Sequence, residues 1–153
     1  MVYKLERTKG RGSYKPFFRI PIDVLESPEY AGLSGIAIKL LMDLGSQYRG
    51  YNNGDFGIWW RLMKKKGWKS KDTLYRAVRE LESAGFILRT RQGGMNRANL
   101  FAITWFEINE CGGKLDVRPT KVASNTWRKL QPPVQFPYQA GPNIVPMNRK
   151  DSV

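Results

Sequence analysis

The sequence contains no histidine. That absence removes the Ser-His-Asp and Cys-His triads, the HExxH zinc helix and the usual imidazole general base, and with them most hydrolytic chemistry. Single-strand nucleases that hold a metal with a histidine cluster beside a nucleophilic tyrosine fail on the same ground, although seven tyrosines are present. Cysteine occurs once, as Cys111, so neither an intramolecular disulfide nor a cysteine-rich zinc site is available. This usage reads as a cytoplasmic chain, and Cys111 as a small packed residue. Long apolar runs are also missing. Nothing approaches the ~20 residues of a membrane span. The basic stretch Lys4, Arg7, Lys9, Arg11 and Lys15 lacks the apolar core of a secretory signal, so no membrane partner is expected. Gly113-Lys114 is not a phosphate loop, because Ile108 stands where its first glycine belongs. No repeat is visible, and no cofactor or metal is implied.

Acidic residues are scarce, 13 against 26 Lys plus Arg, which leaves a net charge of +13 and points to an anionic polymer as partner. A chain of 153 residues forms about one domain, too small for a multi-domain enzyme. The carboxylates do not suggest catalysis: Glu80 and Glu82 point in different directions on a helix, and Asp23, Glu26 and Glu29 are spaced as a surface helix spaces them. The charge is unevenly spread. Residues 1–19 hold six basic and one acidic side chain, residues 20–60 two and five, residues 61–97 eleven and three, and residues 98–153 seven and four. The basic block therefore falls in the middle of the chain. Lys64 to Lys66 alone read equally well as a solvated face, so the element they decorate decides.

Phe17 to Leu25 reads as an extended entry into a short helix with Pro21 near its first turn, and Tyr30 and Leu33 continue its apolar side. Ser34 is placed to cap a helix running to about Gln47, apolar nearly all round and hence central to the core. Asn52-Asn53-Gly54-Asp55 is a turn, and Phe56-Gly57-Ile58 leads into a helix over about 58–66 ending at Gly67. Its apolar members are Trp59, Leu62 and Met63. After the turn Gly67-Trp68-Lys69, Ser70 caps a helix over about 71–84 closed by Gly85. At 100° per residue, Leu74, Ala77, Val78 and Leu81 form its buried face. Asp72, Arg76, Arg79 and Ser83 face outward, with Tyr75 on the shoulder. Two helices joined by a short glycine-containing turn, the second with an arginine-bearing outer face, are laid out as a helix-turn-helix. An ordinary helical hairpin with solvated arginines is the plainer alternative.

The next two runs are Phe86 to Arg91 and Asn99 to Trp105, joined by the glycine-bearing segment 92–98. They predict a hairpin in which Ile87, Arg89 and Arg91 share one face and Phe86, Leu88 and Thr90 the other. In the partner strand Phe101, Ile103 and Trp105 oppose Leu100, Ala102 and Thr104. The fold class expected is α+β: a winged helix-turn-helix, that is, a small helical bundle plus a β-hairpin wing, with a proline-rich C-terminal extension. The domain plan is a basic N-terminal arm over 1–16, a winged-helix domain over 17–106 and the extension over 107–153.

The order Phe18-Arg19-Ile20-Pro21, the Leu33-Ser34 helix, Gln47-Tyr48-Arg49-Gly50-Tyr51-Asn52-Asn53, the helix-turn-helix and Glu80-Leu81-Glu82-Ser83-Ala84-Gly85-Phe86-Ile87 resembles the winged-helix domains of phage and plasmid replication-initiation proteins. It is similar in particular to the N-terminal origin-binding domain of the lambdoid phage initiators, over about residues 17 to 105. The resemblance implies double-stranded DNA binding, with Lys71, Asp72, Tyr75, Arg76 and Arg79 at recognition-helix positions and Arg89, Arg91 and Arg97 on the wing. After residue 106 a 47-residue tail replaces the long linker and helicase-recruiting domain of those initiators.

That tail holds six of nine prolines, Pro119, Pro132, Pro133, Pro137, Pro142 and Pro146, which excludes long helices; Trp127, Leu130, Phe136, Tyr138 and Ile144 are its candidate anchors. The expected division of labour gives phosphate contacts to the N-terminal arm, Lys64, Lys65, Lys66 and Lys69, and base edges to Arg76, Arg79 and Tyr75. Transcriptional regulation and replication initiation both fit, with homodimerisation through the tail or the Ile36 helix as an option. A different class also fits: a phage-encoded counter-defence protein whose basic face docks a host protein or nucleoprotein complex. Exposure of Asp72, Arg76 and Arg79, or their coverage by the tail, separates the two.

Overall fold

The computed structural model describes residues 15–130, apart from the side chains of Lys129 and Leu130. Most of the basic arm lies outside the described residues, as do the last five prolines and the expected anchors Phe136, Tyr138 and Ile144. The described chain is a mixed α+β structure with five α-helices, α1 (Ile22–Leu25), α2 (Pro28–Ala31), α3 (Gly35–Gly45), α4 (Trp60–Lys65) and α5 (Lys71–Ser83). Strands β1 (Phe56–Gly57), β2 (Ile87–Arg91) and β3 (Leu100–Ile103) form an antiparallel sheet in the order β1-β3-β2.

Local chemistry explains most of the helix boundaries. The hydroxyls of Ser27, Ser34 and Ser70 accept the backbone N–H of Tyr30, Ala37 and Thr73, the N-cap bond that relieves the unpaired donors of a first turn. At the far end of α5 the N–H of Phe86 donates to the Leu81 carbonyl and that of Gly85 to Glu82, which closes the helix through a left-handed residue, Gly85 at φ 78°. α4 ends the same way, Trp68 N–H donating to Met63 O and Gly67 N–H to Lys64 O. The predicted buried face of α5, Leu74, Ala77, Val78 and Leu81, is the buried set observed. It packs against α3, whose Leu40, Leu41 and Leu44 are fully buried, and shares one core with Phe56, Phe101 and Ile103 of the sheet.

Several sequence expectations are corrected. The first helix is two, because Ser27 interrupts it, bonding back to Val24 O (2.6 Å) while capping α2. α3 stops at Gly45 and leaves Ile36 half-exposed. Gln47 is diverted to β1, its amide accepting from Gly57 N–H (3.0 Å) and donating to Gly57 O (2.8 Å), so a side chain satisfies the open edge of the strand. Phe56-Gly57, read only as an approach to α4, is a third strand. Trp59 does not join the buried face of α4: it sits at the N-cap with extended backbone (ψ 130°), and the helix begins one residue later. In the hairpin the pairing slips between Arg89, opposite Phe101, and Arg91, opposite Leu100. This bulge inserts Thr90, whose buried hydroxyl donates to Gly54 O (2.6 Å), and it breaks the alternation that had grouped Ile87, Arg89 and Arg91.

The chain after 106 continues over the same core. Thr104 and Thr126 hydroxyls both donate to Gly85 O, and Asn125 N–H donates to Thr104 O. Trp127 is buried with its ring stacked on Phe86, centroids 6.2 Å apart and 6° from parallel. Arg128 pairs with Asp23 of α1. Gly85 is required twice over, since a Cβ there would fall 2.6 Å from Thr126 O.

Asn53 organises the opposite edge. Its fully buried amide accepts from Ile103 N–H (2.8 Å) and donates to the carbonyls of Ile103 (2.9 Å) and Glu107 (2.8 Å). Its backbone N–H donates to Asn109 Oδ1, and its carbonyl accepts from Asn109 N–H. Asn53→Ala leaves these buried groups unsatisfied and is expected to cost about 3 kcal/mol in urea unfolding, whereas a loss within the error of the wild type would show that the amide is dispensable.

Candidate nucleic-acid interface

The turn between α4 and α5 is held from behind by Asp43 of α3. Its carboxylate accepts from the indole N–H of the buried Trp68 (2.7 Å) and pairs with Lys39 (2.8 Å). Lys39 also donates to the Lys66 carbonyl (2.9 Å), and its ammonium lies 5.1 Å from the Trp68 ring centroid. Lys66 turns back the same way, to the Ser46 hydroxyl (2.8 Å). This bracing fixes the angle at which α5 leaves α4.

The two glutamates of α5 are bound to neighbouring elements. Glu80 accepts from both the N–H (2.6 Å) and hydroxyl (2.7 Å) of Ser34, joining the start of α3 to α5. Glu82 receives the Arg89 guanidinium through two bonds, 3.1 and 3.2 Å. The basic side chains do the reverse. Lys64, Lys65, Lys69, Arg76 and Arg79 are exposed, and among the described residues none is held by an ion pair or side-chain hydrogen bond. Lys71 is exposed with its ammonium 5.8 Å from the Trp60 ring centroid, and Tyr75 is 45% exposed. Asp72 is exposed in the first turn, where a carboxylate suits the helix dipole.

Of the eleven expected contact residues, seven therefore lie on the solvent side of 64–79: Lys64, Lys65, Lys69, Lys71, Tyr75, Arg76 and Arg79. Four have internal partners. Lys66 is turned to α3. Arg89 is bound by Glu82 and Gln92 and lies over the Phe101 ring, and Arg91 donates to Ala98 O. Arg97 pairs with Asp116 (2.9 Å), which also accepts from Gln92 N–H, but stays half-exposed near the hairpin tip. The tip itself is a tight turn bridged between Gly94 and Arg97, with Met95 94% exposed. Sequence reasoning missed Met95, and also Trp59, Trp60 and Arg61 beside the basic run; two consecutive tryptophans ahead of three lysines were the available signal.

Among the described residues no group of three or more Cys, Asp or Glu side chains could hold a metal ion. Burial pushes the Cys111 thiol up from its ordinary range, Asp55 adds to this, and Lys114 partly opposes it, so the thiolate is disfavoured. No described helix is long and apolar enough to cross a membrane. A shallow cleft of about 150 Å³ is lined by Phe17, Arg19, Tyr48 and Arg49; the Arg49 guanidinium there is bound to the Ser46 and Tyr48 carbonyls. No family model matches this sequence, and no curated protein or solved structure matches it either.

The Asp43 bracing is testable. Asp43→Ala strands the buried Trp68 N–H and is expected to lower stability by about 2 kcal/mol, with Asp43→Asn recovering much of it by keeping an acceptor. Equal losses for both variants in urea unfolding would assign the effect to the Lys39 charge pair instead.

Proposed function

We propose that this chain is a winged helix-turn-helix protein of phage or mobile-element type that binds double-stranded DNA in the cytoplasm, as a transcriptional regulator or replication initiator and not as an enzyme. The observation that carries the reading is the sorting of charge around α5: its two glutamates are bound to Ser34 and Arg89 of neighbouring elements, while Lys64, Lys65, Lys69, Arg76 and Arg79 stand outward with no ion pair or side-chain hydrogen bond among the described residues. A polyanion is the complement of such a surface. α5 is the recognition helix, with Arg76 and Arg79 directed at base edges in the major groove and Lys64, Lys65 and Lys69 at flanking phosphates. The β2–β3 hairpin is the wing, with Arg97 at its tip suited to phosphate or the adjacent minor groove. Arg89 and Arg91 shape the wing from within.

Docking to a host nucleoprotein complex through the same face is the competing reading. Asp72, Arg76 and Arg79 remain exposed, and the described part of the tail packs on Phe86 and pairs with α1 instead, which favours DNA as the direct ligand.

Fluorescence-anisotropy titration and selection of bound duplexes test the assignment. Arg79→Ala is expected to relax preference at one base position by roughly tenfold. Lys65→Ala is expected to weaken all sequences alike and reduce the salt slope by about one. Equal losses on every sequence for both variants would refute the division between base and phosphate contacts.

A further inference from the structure

The geometry points to Trp59 as a stacking platform for an unpaired nucleobase, so that the preferred ligand is a duplex with unpaired bases beside the bound segment. The inference rests on the DNA-binding reading and adds to it a class of DNA structure. Trp59 precedes α4 on extended backbone, and its indole lies against β1: a Cβ placed on Gly57 would fall 2.2 Å from the ring. Glycine at 57 is what lets the ring approach the strand so closely. The benzo part of the ring is covered in this way, and Trp59 is still 47% exposed.

The surroundings match a nucleic acid more closely than an apolar partner. Trp60 follows with the Lys71 ammonium 5.8 Å from its ring centroid, and Lys71 and Tyr75 are one turn apart on α5. Arg61, Lys64 and Lys65 are exposed on α4 itself. Aromatic faces interleaved with unpaired cations are the arrangement that binds single-stranded segments, because every base offers a π-face and every nucleotide a phosphate. A closed duplex offers a side chain only the edges of its bases, so an outward indole face finds its counterpart where a base is unstacked. An apolar protein surface would gain from the indole but would find exposed cations on the helix that follows it, Arg61, Lys64 and Lys65, costly to desolvate.

The test compares a mixed-sequence duplex with the same duplex carrying a central unpaired bubble, using labelled DNA and the full chain. The wild type is expected to bind the bubble about tenfold more tightly, the scale of one base–aromatic stack. Trp59→Ala should abolish that preference while leaving duplex affinity in place, Trp59→Phe should retain most of it, and Arg79→Ala should leave the bubble-to-duplex ratio intact. Equal affinity for the two DNAs, or a preference that survives Trp59→Ala, would overturn the inference while leaving duplex binding standing. Failure to bind either DNA would overturn both, and binding of a protein partner that is lost in Trp59→Ala would then reassign the platform.

Discussion

The buried amide of Asn53 is the constraint on which the sheet depends. β1 is only two residues long, too short to hold its register by ladder bonds alone, yet it must deliver the chain to α4 at a defined place. Asn53 supplies the missing bonds just before it, pairing with both backbone groups of Ile103 and with the Glu107 carbonyl. An unpaired amide at this depth would be costly, so full satisfaction makes the site strongly specifying. The end of β3, the approach to β1 and the chain leaving the sheet are thereby tied to one point.

From that point the position of α5 follows through packing. β3 is buried along its whole length, α5 packs against both α3 and β2, and Asp43 holds Trp68 in the turn between α4 and α5. The strap from Thr104 to Trp127 closes the other side by crossing Gly85, the residue that ends α5. α5 is thus gripped at its start through Trp68, along its length by α3, and at its end by the strap. An element held in this way can present side chains to a rigid partner without losing much conformational entropy on binding.

Electrostatics reinforce the same asymmetry. Ion pairs at the surface contribute little individually, but where they form decides which charges remain free. Glu80 joins α5 to the N-terminus of α3, and Glu82 joins it to the hairpin through Arg89. Each removes a negative charge from the outer surface of α5. Asp116 does the same at the base of the hairpin tip. Glu80, Glu82 and Asp116 act as fasteners between elements, and on 64–79 Asp72 is the one acid beside five lysines and two arginines, counting Lys66 and Lys71.

What was legible in the sequence was what local chemistry dictates. Ser34 and Ser70 as caps, Gly67 and Gly85 as terminators, and Leu74, Ala77, Val78 and Leu81 as one face of α5 each depend on neighbours within about a turn, so spacing alone revealed them. Exposure of Arg76 and Arg79 followed from that face. The tertiary structure decided everything that depends on a partner distant along the chain. Asn53 read as a turn residue because its bonds reach 50 residues ahead, and Gln47 read as helix because its partner is a strand too short to recognise. Arg89 read as a free charge on its strand, whereas its partner Glu82 lies on α5, and Trp59 looked like core until the extended backbone before α4 laid it on Gly57. Periodicity reports which side of an element a residue is on; only the packed chain reports what occupies that side.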